Sequence, residues 1–477
     1  MTEKPNILLI MTDQQKATAS HLYGNSFCET PSLERLKQRG TLYEHAITPH
    51  PLCQPARCAL WTGQFPHRNG CRDNQTPMPV DATHAFKIWH EQGYHCGLIG
   101  KNHCFEHPDD LRLFDTWNEI SHQGIPENAM HKGAEWFRPT EAIESAYVLH
   151  KTMTPQNNRF GYAVSDAPLE DHSSGLIAGQ TQRFLETYQD TPFALWVSFP
   201  DPHEPWVCPR QYTDMFPPEK IQLPEWRDGE FDNHAPERNR ILHEITGVRE
   251  ESLDEVYALM ACYYGMVRFI DDEIGQILDK LDELNLSENT IIVFCSDHGD
   301  LMGEHGMQCK GGVFYDALVR VPLIISYPEV VPADKRDDSM VNLIDIVPTL
   351  LQLQGLDIPN TMQGQPLPSA TTAQPRDVTF SEYGKGGPPF TWQDLQSMQK
   401  PFGRQTLMQS LQWREAEGSR KMLRTREWKY VHDPTGDKDE LYNLVADPQE
   451  LYNVIDDVTN AEVVSSLRLQ LSNWRVN

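Results

Sequence analysis

Five short apolar runs, separated by helical stretches, constrain this chain more than any other feature, and four of them stop at a polar cluster. Asn6-Ile7-Leu8-Leu9-Ile10-Met11 ends at Thr12-Asp13-Gln14-Gln15, and Tyr94 to Gly100 ends at Lys101-Asn102-His103. Phe193 to Phe199 ends at Asp201-Pro202-His203, and Thr290 to Cys295 ends at Ser296-Asp297-His298-Gly299. Val321 to Ser326 is the fifth run. Runs without polar alternation read as strands buried on both faces, the habit of parallel sheets. Pro31 to Lys37 reads as an amphipathic helix, and a long helical pattern extends from about Leu253 to Leu284. Strands alternating with helices predict an α/β fold, with a mostly parallel central sheet flanked by helices. Such sheets take ligands beyond the carboxyl ends of their strands. Four runs deliver polar side chains to that edge, which predicts a single active site there.

Composition narrows the partners. The 477 residues carry 41 Lys and Arg against 68 Asp and Glu, a net charge of −27. That balance disfavours nucleic acid and anionic membranes. A hydrophobic fraction of 39% with 23% charged residues predicts a folded chain rather than a disordered one. No stretch is long and apolar enough to span a bilayer. The start, Met1-Thr2-Glu3-Lys4-Pro5, lacks the basic, apolar and small-residue sequence of a signal peptide, so a cytoplasmic protein is expected, or an exported one if a signal has been removed. The ten cysteines are scattered, without a Cys-x-x-Cys pair, and predict reduced thiols rather than a zinc ribbon or a disulfide scaffold.

The most specific local feature is Cys53-Gln54-Pro55-Ala56-Arg57, within Pro51 to Gly63. It reads as a loop entering a helix, with Pro55 in the first turn, where a missing N–H costs nothing. Cys53 is then expected just before the helix, where free N–H groups and the positive dipole end favour an anion. Arg57, one turn on, is expected to face the same pocket. Cys-x-Pro-x-Arg followed by Leu60-Trp61-Thr62-Gly63 resembles the signature of the type I, formylglycine-dependent sulfatases. These belong to the alkaline phosphatase superfamily and are related to the phosphonate monoester hydrolases. Gln54 departs from the small residue usual in that family. The resemblance covers most of the chain, including Glu440-Leu441-Tyr442-Asn443-Leu444 with Asp447-Pro448 and Glu450.

This resemblance implies an alkaline-phosphatase-like fold and hydrolysis of an organic sulfate monoester to an alcohol and inorganic sulfate. It implies that Cys53 is converted to formylglycine by a formylglycine-generating enzyme. Asp13, Gln14, Asp297 and His298, with the oxidised Cys53, are implied to hold one divalent metal. Calcium is the family default. His298, where many sulfatases carry Asn, makes manganese the alternative, because an imidazole nitrogen suits a transition ion better. Lys101 and His103 form the family's Gly-Lys-x-His pattern, and His203 and Lys310 fall at its sulfate-binding and proton-transfer positions. A tetrahedral anion needs several positive donors, which Arg57, Lys101 and Lys310 are expected to provide. Asn74 is a candidate for holding the diol or a substrate oxygen.

The substrate is expected to be a small-molecule or carbohydrate sulfate ester; sugar, choline and aryl sulfates all fit the motifs. Phosphonate monoester or phosphodiester hydrolysis on the same scaffold is the alternative, and a non-catalytic, metal-stabilised binding protein is a third. Lys101 and His103 favour the sulfatase reading, and the intact Cys53, Arg57 and metal set argue against the third. Asp171-His172 could support the structure or touch substrate. Trp136, Arg138, Trp206, Arg210, Trp392 and Trp413 could stack on a sugar or a cationic headgroup. Near 365–375 the composition turns to Pro, Ser and Thr. That predicts a catalytic sulfatase-like domain over 1–368 and a C-terminal α+β subdomain over 376–477, with a small antiparallel sheet and a terminal helix around Ala461 to Trp474. Residues 204–250 and about 104–175 read as irregular insertions. A homo-oligomer stays open.

Overall fold

The computed structural model describes residues 4–122, 125, 131–133, 160–232, 234–248 and 252–474. A ten-stranded sheet forms the centre. Its strands are β1 (Asn6–Thr12), β2 (Gly40–Ile47), β3 (His95–Gly100), β4 (Thr116–Glu119), β5 (His131–Lys132), β6 (Phe193–Ser198), β7 (Thr290–Ser296), β8 (Arg320–Val321), β9 (Leu323–Ser326) and β10 (Lys335–Asn342). The order is β8-β2-β9-β7-β1-β6-β3-β4-β5, with β10 paired to β2. The run β7, β1, β6, β3, β4 is parallel throughout.

Strand β1 shows why the apolar runs become central strands. Its side chains alternate between two cores: Ile7, Leu9 and Met11 join one, Leu8 and Ile10 the other. The first core is closed by α2 (Cys53–Thr62), through Cys58, Leu60 and Trp61, and by α5 (Ile346–Leu353), through Ile346 and Leu350. The second is closed by α1 (Pro31–Gln38), α3 (Ser173–Tyr188) and α4 (Leu253–Glu283), through Leu33, Ile177, Phe184, Ile270 and Ile274. The layering is the mostly parallel, helix-flanked α/β sheet that the sequence predicts.

The fifth apolar run behaves differently from the other four. It pairs antiparallel with both β7 and β2, and it splits at Pro322 into β8 and β9, because proline has no N–H to give the ladder. Strands β2 and β10 were not read from the sequence. Glu44 and His45 interrupt β2, and β10 opens with exposed Lys335 and Arg336, as an outermost strand can.

A second, antiparallel sheet of four strands follows: β11 (Thr379–Tyr383), β12 (Arg420–Arg424), β13 (Trp428–His432) and β14 (Glu440–Asn443). Helix α6 (Arg404–Ala416) precedes β12, and α7 (Ala461–Trp474) packs Leu467 and Leu471 on Leu423, Tyr430 and Leu441. This sheet grips the segment after Lys310. Asp316 accepts from Arg424 and from Lys429, each at 2.7 Å. Among the described residues no helix is long and apolar enough to cross a membrane.

Candidate active site

Register brings the polar strand ends together. Thr12 pairs with Ser296, Met11 with Ser198, and Gly100 with Ser198, so β1, β7, β6 and β3 finish level. The residues that follow are then tied by backbone bonds: Asp297 N–H donates to Thr12 O (3.3 Å), Asp13 N–H to Asp201 O (3.2 Å), and Lys101 N–H to Ser198 O (2.8 Å). Gly100 has φ +110, and a Cβ there would lie 2.0 Å from Ser198 O, so only glycine lets β3 turn this closely into Lys101. Gln14, His103 and Cys309 hold left-handed φ of 68°, 51° and 67° without being glycine. Such backbone persists where surrounding contacts over-determine it, and it gathers at functional sites.

Cys53 is the first residue of α2, with Leu52 at the N-cap, rather than the residue before the helix. Its N-terminal position is otherwise as expected. The sulfur is buried and lies 3.1 Å from His298 Nε2, 3.6 Å from Asp13 Oδ1 and 3.3 Å from Lys310 Nζ. Burial opposes ionisation of the thiol. Lys101, Lys310 and His298, with a hydrogen bond from His103, outweigh it and hold Cys53 well below the ordinary thiol value.

Ligand atoms of Asp13, Cys53, Asp297 and His298 lie within 4.8 Å of one another, and all four residues are buried. Each carboxylate is divided between two jobs. Arg57 takes the Oδ2 atoms, donating from Nη2 to Asp13 and from Nε to Asp297, both at 2.8 Å. The Oδ1 atoms are left 4.0 Å and 3.9 Å from His298 Nε2. His298 Nδ1 donates to Gly299 O at 2.8 Å, which leaves the Nε2 lone pair facing the carboxylates. Burial works against a charged His298, yet Asp297 raises its pKa above the ordinary value. The site therefore favours positive charge at Nε2, of the kind a divalent cation would supply. Two carboxylate oxygens, an imidazole nitrogen and the group at position 53 fit such an ion.

Arg57 does not take the role expected of it. Besides Asp13 and Asp297, it donates to Lys101 O (3.0 Å) and to Ser198 Oγ (2.9 Å), and it is fully buried behind the carboxylates. It orients the acidic pair instead of offering its nitrogens to a substrate anion. Two buried carboxylates this close demand such a partner. Asn74 is likewise committed. Its amide oxygen accepts from Gln54 N–H, capping α2, and its amide nitrogen donates to Glu415.

Gln14 stands beside the acidic pair with a fixed amide. Nε2 donates to Glu204 (3.0 Å) and to Asp300 (2.8 Å), which turns Oε1 toward Lys310 Nζ at 2.6 Å. Lys310 also reaches His203 Nε2 at 2.9 Å, so its three protons face Gln14, His203 and the sulfur of Cys53. Burial alone would neutralise Lys310, but Cys53, Glu204 and Asp13 raise its pKa and keep it charged. His203 Nδ1 donates to Glu204 O at 2.6 Å and lies 3.2 Å from the Glu204 carboxylate. Lys101 Nζ donates to Asp13. His103 is hydrogen-bonded to Cys53, its Nδ1 has no partner among the described residues, and burial lowers its pKa. Lys101, His103 and Lys310 thus lie around position 53, and His203 joins them through Lys310.

Glu204, Asp300, Ser198 and Glu415 were not singled out from the sequence. Glu204 and Asp300 lie one and two residues past His203 and His298, so their places beside the strand-end motifs were the available signal. Asp171 and His172 are buried at the start of α3, and burial brings His172 down to about 4. Of the aromatic and basic loop residues, Trp206 is fully buried, Arg210 pairs with Asp166, and Trp392 lies under Arg240 at 4.9 Å. Trp413 is 44% exposed and meets Phe390 edge-on at 5.2 Å. Trp136 and Arg138 lie outside the described residues. All ten cysteines are free and buried.

The sulfatase family model matches residues 5–356. The chain belongs to the sulfatase family. A choline-sulfatase from Rhizobium meliloti is 30% identical over 75% of this chain and 69% of its own length. An arylsulfatase from Clostridium perfringens is 30% identical over 80% of this chain and 81% of its own. An N-acetylglucosamine-6-O-sulfatase from Bacteroides thetaiotaomicron is 24% identical over 94% of this chain and 82% of its own. Among solved structures, the phosphonate monoester hydrolase of Agrobacterium radiobacter superposes with a TM-score of 0.77 at 23% identity, over 99% of this chain and 96% of its own. That likeness is one of fold. It covers the C-terminal sheet as well as the central one.

Proposed function

We propose that this sulfatase hydrolyses a carbohydrate sulfate monoester through formylglycine at position 53 and one divalent cation held by Asp13, Asp297 and His298. The observation that carries the reading is the place of the Cys53 sulfur. It lies between the acidic and imidazole ligand atoms on one side and the Lys310 ammonium on the other. When present, the hydrated aldehyde supplies the attacking oxygen and the cation lowers the charge on the sulfate. The alternative cation identities are calcium, the family default, and manganese, which the imidazole ligand favours. Cys53 is 2% exposed, so a formylglycine-generating enzyme must reach it before α2 packs on the sheet. A carbohydrate substrate is supported by the N-acetylglucosamine-6-O-sulfatase relative.

The chain's own residues divide the remaining work. Lys101 and Lys310 place positive charge beside the anion. His203, with Nδ1 held by Glu204, directs Nε2 toward Lys310 and the leaving-oxygen side, where a proton is needed. His103, desolvated and in contact with position 53, would be placed to accept a proton from the group held there. The two tasks fail differently. We expect His203→Ala to slow sugar sulfates by about 100-fold and activated aryl sulfates much less, because a good leaving group needs less proton donation. We expect His103→Ala to show a burst with an aryl sulfate and then a slow steady state. Equal losses across leaving groups, with no burst in either variant, would refute this division.

A panel of sulfate and phosphonate esters tests the function itself. The sulfatase reading expects inorganic sulfate release to dominate, with position 53 found as formylglycine by peptide mass spectrometry. Faster turnover of phosphonate monoesters would favour the alternative reading.

A further inference from the structure

Arg414 is 4% exposed, yet among the described residues it makes no hydrogen bond and no ion pair, and its Nη1 is buried without an acceptor. Other buried arginines are not left this way. Arg57 faces Asp13 and Asp297, Arg238 faces Asp433, Asp437 and Glu440, and Arg420 faces Glu417 and Asp433. A desolvated guanidinium with no counter-charge is costly and persists where something else supplies the charge.

Its position says where that charge would come from. Arg414 lies in the last turns of α6 and rests on the loop that carries Lys310. A Cβ on Gly311 would lie 2.6 Å from Arg414 Nη2 and 2.7 Å from a Leu242 methyl, so the glycine after Lys310 makes the room that the guanidinium fills. A Cβ on Gly312 would lie 2.9 Å from Tyr383, whose ring stacks on His50 at 5.2 Å. The next residue, Glu415, holds Asn74 and through it the N-terminus of the Cys53 helix. Burial, with the charges of Asp73 and Cys53, brings the Glu415 carboxyl up to about 7. On this same side His50 Nδ1 and Nε2 and Gln54 Nε2 are also buried without partners.

We propose that Arg414 is a specificity-determining residue that binds a second anionic group, a carboxylate or a further sulfate, on the alcohol portion of the sulfate ester. Both groups accept two parallel N–H bonds from a guanidinium. The inference deepens the sulfatase reading and rests on it.

The test compares sulfate monoesters of a hexuronate, of the corresponding neutral hexose, and of a hexose carrying two sulfates. Wild-type enzyme is expected to favour at least one of the anionic esters over the neutral one in kcat/KM by about tenfold to a hundredfold, the range for a charge-assisted hydrogen-bonded pair. Preference for the hexuronate identifies a carboxylate partner, and preference for the disulfated sugar identifies a sulfate. Arg414→Met is expected to bring the preference down to a few-fold, while its Tm stays at or above the wild-type value, because an uncompensated buried charge has been removed. Arg414→Lys should recover only part of the preference, since it keeps the charge and loses the fork. A binding measurement stands apart from catalysis: unsulfated hexuronate should raise the Tm of wild type more than neutral hexose does, and should not do so for Arg414→Met if a carboxylate is the partner. Sulfate release from the neutral ester without any preference for an anionic one would overturn the Arg414 assignment and leave the sulfatase reading intact. A lower Tm in Arg414→Met, with all esters slowed equally, would overturn it as well. No sulfate release from any ester would instead sink the underlying function.

Discussion

Cys53→Ala is expected to lower kcat by more than about 10⁴-fold, the scale seen when a catalytic nucleophile is removed. In the proposed mechanism the oxidised side chain at position 53 would carry the attacking oxygen on its Cβ once the sulfur is lost, and among the described residues no neighbour can replace it. Asp13, Asp297 and His298 lie around it as candidate metal ligands, Lys310 stands beside it as a cation, and His103 is the proposed base. Folding should survive. The side chain is small, and losing its sulfur from a buried position costs about 1 kcal/mol. Lys310 keeps two acceptors, Gln14 Oε1 at 2.6 Å and His203 Nε2 at 2.9 Å, so its charge is not stranded. The measurement is sulfate release by matched wild-type and variant protein, with Tm as the control. Retention of more than a few per cent of wild-type turnover by a folded variant would reject Cys53 as the precursor of the nucleophile.

The site was legible where chemistry follows directly from strand position. Asp13, Lys101, His203 and Asp297 end or follow apolar runs, and parallel pairing in register makes such ends meet. Directions were harder to read than positions. Arg57 sits one turn from Cys53, as its spacing requires, but its guanidinium turns to Asp13 and Asp297, since two buried carboxylates demand a cationic partner. Asn74 lies near the nucleophile, and the free N–H of Gln54 takes its oxygen. Long-range partners were not legible at all. Glu415 reaches Asn74 across 341 positions of sequence, and nothing local to either residue marks the other. The fold shows the same division. Doubly buried strands are apolar throughout and read themselves, whereas β2 and β10 carry polar residues, and only their neighbours decide that they are strands.

Asp297→Ala should produce the other large effect, on two properties at once. Asp297 is fully buried and does three things: Oδ1 accepts from the backbone N–H of Gln14 (3.1 Å) and of His298 (2.9 Å), Oδ2 accepts from Arg57, and Oδ1 faces His298 Nε2 across the cation position. Removing it takes a negative ligand from the metal set and leaves Arg57 with one carboxylate where it had two. We expect loss of the stoichiometric cation, loss of turnover, and destabilisation by about 3–5 kcal/mol, the usual result of stripping one partner from a buried ion pair. A double variant separates the two consequences. Arg57→Met combined with Asp297→Ala removes the stranded charge too, and Asp13 still has Lys101. Its Tm should recover a substantial part of the loss, while metal content and activity should not recover, because Arg57 orients the carboxylates and binds no cation itself. Elemental analysis of the wild type, the single variant and the double variant reads the metal, and thermal unfolding reads the stability. A single variant that keeps its cation, or active wild-type protein with no stoichiometric cation, would remove Asp297 from the metal set. A double variant no more stable than the single one would show that the destabilisation comes from the lost backbone acceptor at Gln14 and His298 and not from the unpaired arginine.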